Sequence, residues 1–136
     1  MRHFAGLLGS LIVLCYGLTI MNFIFKWVNK KYAHLINKNL MVKRIYKKCM
    51  GLIIRNHKIF GGLTIIFISV HFGIFFSMGQ ISITGIIAAL LMVVQVILGA
   101  AGAYIVKSRK GVWFALHRFI AASLAVTIFI HTAFKI

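Results

Sequence analysis

Residues 57–71 read HKIFGGLTIIFISVH, and residues 117–131 read HRFIAASLAVTIFIH. Each stretch carries a histidine at both ends and a single cation between them, Lys58 in the first and Arg118 in the second. A helix that faces water keeps a polar stripe along its length, and neither stretch has one. The same apolar character continues outward. Ile59–Met78 is uncharged, and Val112–Phe134 holds only Arg118. Phe4–Phe25 and Ile81–Val106 are uncharged runs of 22 and 26 residues. Each of the four crosses a hydrocarbon core of ~30 Å as a helix rising ~1.5 Å per residue. Proline is absent, so no strong kink is encoded. The pattern predicts an all-α integral membrane protein, a four-helix transmembrane bundle forming one domain over residues 1–136. Its spans fall at about 4–25, 49–78, 81–106 and 111–134. The second helix starts near Cys49, because Arg55 and Lys58 can snorkel to the interface.

Composition excludes most other classes. Of 136 residues, 62% are hydrophobic and 16 are Lys or Arg, with no Asp or Glu. A soluble domain is roughly 25% charged with both signs mixed, which rules out a soluble enzyme and a secreted disulfide scaffold. Without a carboxylate the chain has no acidic general base, no ligand set for Ca²⁺ or Mg²⁺ and no carboxylate proton relay. The cations gather at the ends of the apolar runs, as membrane topology requires, rather than along a nucleic-acid face.

Those cations orient the chain. Lys26, Lys30, Lys31, Lys38, Lys43, Arg44, Lys47, Lys48, Arg55 and Lys58 lie between the first two runs. Lys107, Arg109, Lys110 and Arg118 lie between the last two, while Gly79-Gln80 carries no charge. The positive-inside rule then places both basic connections in the cytoplasm and both termini outward, in a multi-pass protein of the cell (inner) membrane. Residues 26–48 form a basic cytoplasmic segment with apolar residues at Val28, Tyr32, Leu35, Ile36, Val42, Ile45 and Tyr46. Two readings are open: an amphipathic helix on the inner leaflet, or an extension of the neighbouring helices.

Histidine inside a bilayer marks a site. The intervals 57 to 71 and 117 to 131 are both 14 residues. Fourteen steps at ~100° leave two rings about 40° apart on one face and ~21 Å apart along the axis. The second and fourth helices run in the same direction, so His57 and His117 share an inner depth and His71 and His131 an outer one. Facing imidazoles at two depths suit two haem irons, one ring on each axial side, better than zinc, which wants four close ligands. No C-x-x-C-H motif is present, so attachment is noncovalent. Gly61, Gly62, Ala121, Ala122 and Gly73 lie near these rings in sequence and either pack helices closely or leave space for a flat ring. Lys58 and Arg118 either set topology or pair with haem propionates. Four buried histidines that only hydrogen-bond within a bundle are the plainer alternative. Gln95 reads as an interhelical hydrogen bond, and Gly85, Gly99 and Gly102 as points of close helix approach. His3 and His34 read as interfacial residues. Cys15 and Cys49 lie at different depths, which argues against a disulfide.

The pattern His57-x13-His71 with His117-x13-His131, on parallel helices separated by one span, resembles the di-haem core of membrane cytochromes b. It is similar to the cytochrome b of quinol-oxidising complexes and to the ferric reductase and NADPH oxidase group, over roughly residues 49–134. The resemblance implies two haem b groups, one held by His57 and His117 and one by His71 and His131. It differs in lacking a flavin or nicotinamide domain and an acidic quinone-site residue. Four-helix cytochrome subunits of formate dehydrogenases and hydrogenases draw a ligand from their first helix, where this chain offers only His3. The expected function is electron relay across the membrane, as a subunit of a larger oxidoreductase. Expected partners are membrane lipid, an acidic redox protein on the cytoplasmic face, and a quinone. A stand-alone quinol or metal reductase and a non-redox structural or transport subunit are the alternatives.

Overall fold

The computed structural model describes residues 2–106 and 111–134. The described residues are helical throughout except at short turns: α1 is Arg2–Lys38, α2 is Leu40–Ser77, α3 is Ile83–Ala100 and α4 is Val112–Phe134. A six-residue π-helix, Ala101–Val106, continues α3. All four segments are long and apolar enough to cross a membrane, so the all-α membrane class stands. The connection Lys107–Lys110 and the terminal Lys135 lie outside the described residues.

Helix boundaries differ from the hydropathy boundaries, because charge ends an apolar run without ending a helix. Lysine and arginine are good helix formers, so α1 runs on past Phe25 and α2 begins well before Cys49. Residues 26–48 form no helix of their own; they are the end of α1 and the start of α2. Asn39 separates the two. Its Oδ1 accepts from the Met41 and Val42 backbone N–H groups at 2.8 and 3.2 Å, which caps α2 at its N-terminus. The one irregularity within α1 is Tyr32, at φ −120° and ψ 19°.

Two turns need glycine. Gly79 has φ +65° and Gly111 φ +108°, left-handed values that a side chain resists. Gly79 closes α2, and Gly111 accepts from the Phe114 and Ala115 N–H groups at the start of α4. At the head of α3, Ser82 is the N-cap, its hydroxyl accepting from the Gly85 N–H at 3.0 Å.

The chain divides into two compact units, Leu7–Phe67 and Met1–Gly6 with Ile68–Ile136. In the first, α1 buries Leu8, Ile12, Cys15 and Tyr16, a stripe at intervals of three and four residues. Tyr46 of α2 donates its hydroxyl to the Phe25 carbonyl at 2.6 Å, with the two rings edge-on at 5.4 Å. Thr64 is buried and donates to the Phe60 carbonyl of its own helix at 2.8 Å, so its hydroxyl needs no other partner. In the second unit α3 packs along α4, and Ala88, Met92, Gly102 and Leu124 are buried. Leu90, Ile97, Phe119 and Phe129 point outward there, as Leu14, Leu52 and Ile66 do in the first unit. An apolar exterior is what hydrocarbon solvates.

Candidate functional site

His71, near the end of α2, and His131, near the end of α4, both lie in the second unit. His71 Nδ1 stands 3.1 Å from the Ala5 carbonyl oxygen. A carbonyl only accepts, so Nδ1 carries the proton and Nε2 keeps its lone pair. His131 Nδ1 stands 2.9 Å from the Thr84 hydroxyl and 3.2 Å from the Ser82 hydroxyl. Hydroxyls donate or accept, so they fix the ring's direction and leave its tautomer free. Gly85 makes this approach possible. A Cβ there would stand 2.8 Å from Ser82 Oγ and 3.3 Å from His131 Cε1.

Both rings are therefore anchored through Nδ1, with Nε2 left for another partner. A metal-ligating histidine is held in this way when its second nitrogen donates to a protein oxygen; His71 has that arrangement, and His131 has it when a hydroxyl accepts from Nδ1. Imidazole is a side chain that haem iron takes as an axial ligand. Among the described residues no three His or Cys side chains group to hold a bare metal ion; axial ligation takes two.

The inner pair differs. His57 lies on α2 within the first unit and His117 on α4 within the second. His117 is engaged through the opposite nitrogen, its Nε2 standing 3.2 Å from Gln95 Nε2 on α3. With the amide so placed, Gln95 donates and His117 carries its proton on Nδ1, which is buried without a partner. The Gln95 Oε1 and the Trp113 Nε1 are also buried and unpartnered. Trp113 lies one turn before His117, their ring centroids 6.4 Å apart, and its indole covers Gly102 so closely that a Cβ there would overlap it. As it stands, His117 lacks the open Nε2 that His71 and His131 have. All four histidines are half-buried.

Of the small residues, Gly61, Gly62 and Ala121 are half-buried, while Gly73 and Ala122 are exposed. A Cβ added at Gly61, Gly62 or Gly73 would meet nothing within 4 Å. Close helix packing therefore does not explain these three glycines. Lys58 and Arg118 are exposed, and the Arg118 guanidinium sits 5.7 Å over the Phe114 ring of its own helix. His3 and His34 are exposed. Cys15 is buried and Cys49 exposed, both as free thiols.

Sequence reasoning missed the groups that hold the rings, Ala5, Ser82 and Thr84; it marked Gly85 and Gly99 as points of close approach without showing that histidines are what approaches them. Gly85 lies under His131 and Gly99 under His117, so α3 repeats the 14-residue interval of α4 in reverse. That matching interval was the available signal. Comparisons with protein-family models, curated proteins and solved structures return no match for this chain.

Proposed function

We propose that the protein is a b-type di-haem membrane cytochrome that relays electrons across the bilayer as a subunit of a larger oxidoreductase. The observation that carries this reading is the outer pair. Two histidines on different helices of one unit are each held through Nδ1 against a protein oxygen. The equal spacing of His57 and His117 extends the reading to a second, inner haem. Haem supplies one-electron redox chemistry when bound.

The remaining work belongs to the chain. Ala5 orients His71, and Ser82 and Thr84 orient His131. The open space beside Gly61, Gly62 and Gly73 admits a planar group, with Ala121 and Ala122 at matching positions on α4. Lys58 and Arg118 balance anionic substituents at the inner level. The helices keep water from the rings. By the positive-inside rule the end of α1 and the start of α2 meet the cytoplasm, in the cell membrane with both termini outward. Their cations hold anionic lipid or dock an acidic redox partner.

Oxidised and dithionite-reduced absorbance spectra of the purified protein test the reading. A Soret band that shifts on reduction, with the sharp α-band of low-spin bis-histidine haem, is expected. A spectrum of aromatic side chains alone refutes it.

A further inference from the structure

The turn between α1 and α2 lies within the first unit, and one hydrogen bond sets its height above the bilayer. Phe25 is the last residue of an uncharged run, so it marks where the hydrocarbon ends. The Tyr46 hydroxyl donates to its carbonyl. Side chains on a helix lean toward its N-terminus, here toward the turn, so the Tyr46 backbone lies no nearer the turn than its hydroxyl. From Tyr46 back to Asn39 the chain takes seven steps, ~10 Å of helix rise. From Phe25 to Lys38 it takes thirteen, ~20 Å if straight. Joined arms of such unequal length cannot both stand upright, and α1 leaves helical geometry at Tyr32. The turn therefore stays within ~10 Å of the hydrocarbon, inside a headgroup layer of ~5–7 Å and one Debye length of ~8 Å beyond it. Trp27 and Tyr32, edge-on at 6.1 Å with Lys31 Nζ 5.3 and 5.4 Å from their centroids, are the aromatic residues expected at that level.

One face of α2 collects charge at that height. Lys43, Arg44, Lys47 and Lys48 all fall within three residues of Tyr46, ~5 Å along the axis. At ~100° per residue they share an arc of ~140° that leaves Tyr46 outside. Leu40 falls in the middle of the same arc and Met41 beside it, and they are 79% and 73% exposed. Apolar side chains set among cations suit a membrane interface, where they enter the acyl boundary and the charges meet phosphate. The chain has no Asp or Glu, so the counter-charge for this face comes from outside it. We propose that the α1–α2 turn is an interfacial anchor: Leu40 and Met41 enter the leaflet beside it, and Lys43, Arg44, Lys47 and Lys48 hold anionic lipid phosphates. A soluble acidic protein reaches cations best when they stand clear of the headgroups, and these do not. The inference rests on the membrane reading above and is independent of the haems.

A spin label at Met41→Cys reads the insertion in nanodiscs of phosphatidylcholine with and without phosphatidylglycerol. Cys49→Ser removes the exposed native thiol, and the Cys49→Ser chain alone gives the background. With phosphatidylglycerol present the label should be relaxed by dissolved oxygen and shielded from a water-soluble nickel chelate. The second measurement is the lipid that co-purifies from mixed membranes. Wild type should retain phosphatidylglycerol over phosphatidylcholine. The combined Lys43→Gln, Arg44→Gln, Lys47→Gln and Lys48→Gln variant should lower that preference by about tenfold or more. A label open to the chelate in both membranes overturns the anchor, and cover gained only on adding polyglutamate would assign the face to an acidic protein instead. A combined variant that keeps the wild-type lipid preference overturns it too. The haem reading stands or falls separately, on the Soret band of the same samples.

Discussion

Replacing Gly85 by alanine separates a seat for His131 from an ordinary helix glycine. Alanine in a helix interior gains about 1 kcal/mol over glycine. At Gly51, where an added Cβ meets nothing within 4 Å, that gain should appear almost whole. At Gly85 the new methyl would lie 2.8 Å from Ser82 Oγ and 3.3 Å from His131 Cε1. The first contact forces the serine hydroxyl away from two partners, the Gly85 N–H at 3.0 Å and His131 Nδ1 at 3.2 Å. Each bond contributes about 0.5–1.5 kcal/mol net, so roughly 1–3 kcal/mol is lost and the helix gain offsets part of it. The two substitutions should therefore differ by about 2 kcal/mol, Gly51→Ala stabilising and Gly85→Ala neutral or destabilising. Thermal unfolding of the detergent-solubilised variants measures the difference, and haem retention reports whether His131 has turned. Equal stabilisation by both substitutions, with haem content unchanged, would refute the seating of His131 on Gly85.

The histidine pairs should separate in a redox titration. His71→Ala and His131→Ala should remove or shift one common component, and His57→Ala and His117→Ala the other; His57 and His71 variants that behave alike while His131 differs would exclude ligation between helices. The basic ends of α1 and α2 are testable by charge reversal. Changing Lys43, Arg44, Lys47 and Lys48 to Glu should release anionic lipid without loss of haem; reduction by a cytoplasmic donor that slows as well, in a salt-dependent manner, would show a protein docking there too. Unchanged kinetics at low and high salt would assign those cations to lipid alone.

The spans were legible because hydrocarbon tolerates so few charges that four apolar runs can be counted directly. Helix ends were not, since hydropathy marks where a bilayer stops and hydrogen bonding decides where a helix stops. Lys26–Lys38 continues α1, across the irregular backbone at Tyr32, because lysine suits a helix in water, and Asn39, with an acceptor for two free N–H groups, ends it. The site was partly legible. Equal 14-residue intervals exposed the histidines, and Gln95 does make the interhelical hydrogen bond expected of it. The anchor of His71 left no trace, because a backbone carbonyl such as that of Ala5 is offered by every residue type. The polarity of each ring was equally hidden: His131 and His117 have the same spacing context, yet one is held at Nδ1 and the other at Nε2. That difference depends on what stands opposite on α3, Thr84 in one case and Gln95 in the other.

The central claim is that the four histidines hold two haems. A pyridine haemochrome assay on protein quantified by amino-acid analysis measures it directly. About two b haems per chain, extractable by acidic acetone because no thioether bond holds them, is the predicted result. A value near zero in protein expressed with haem available would contradict it.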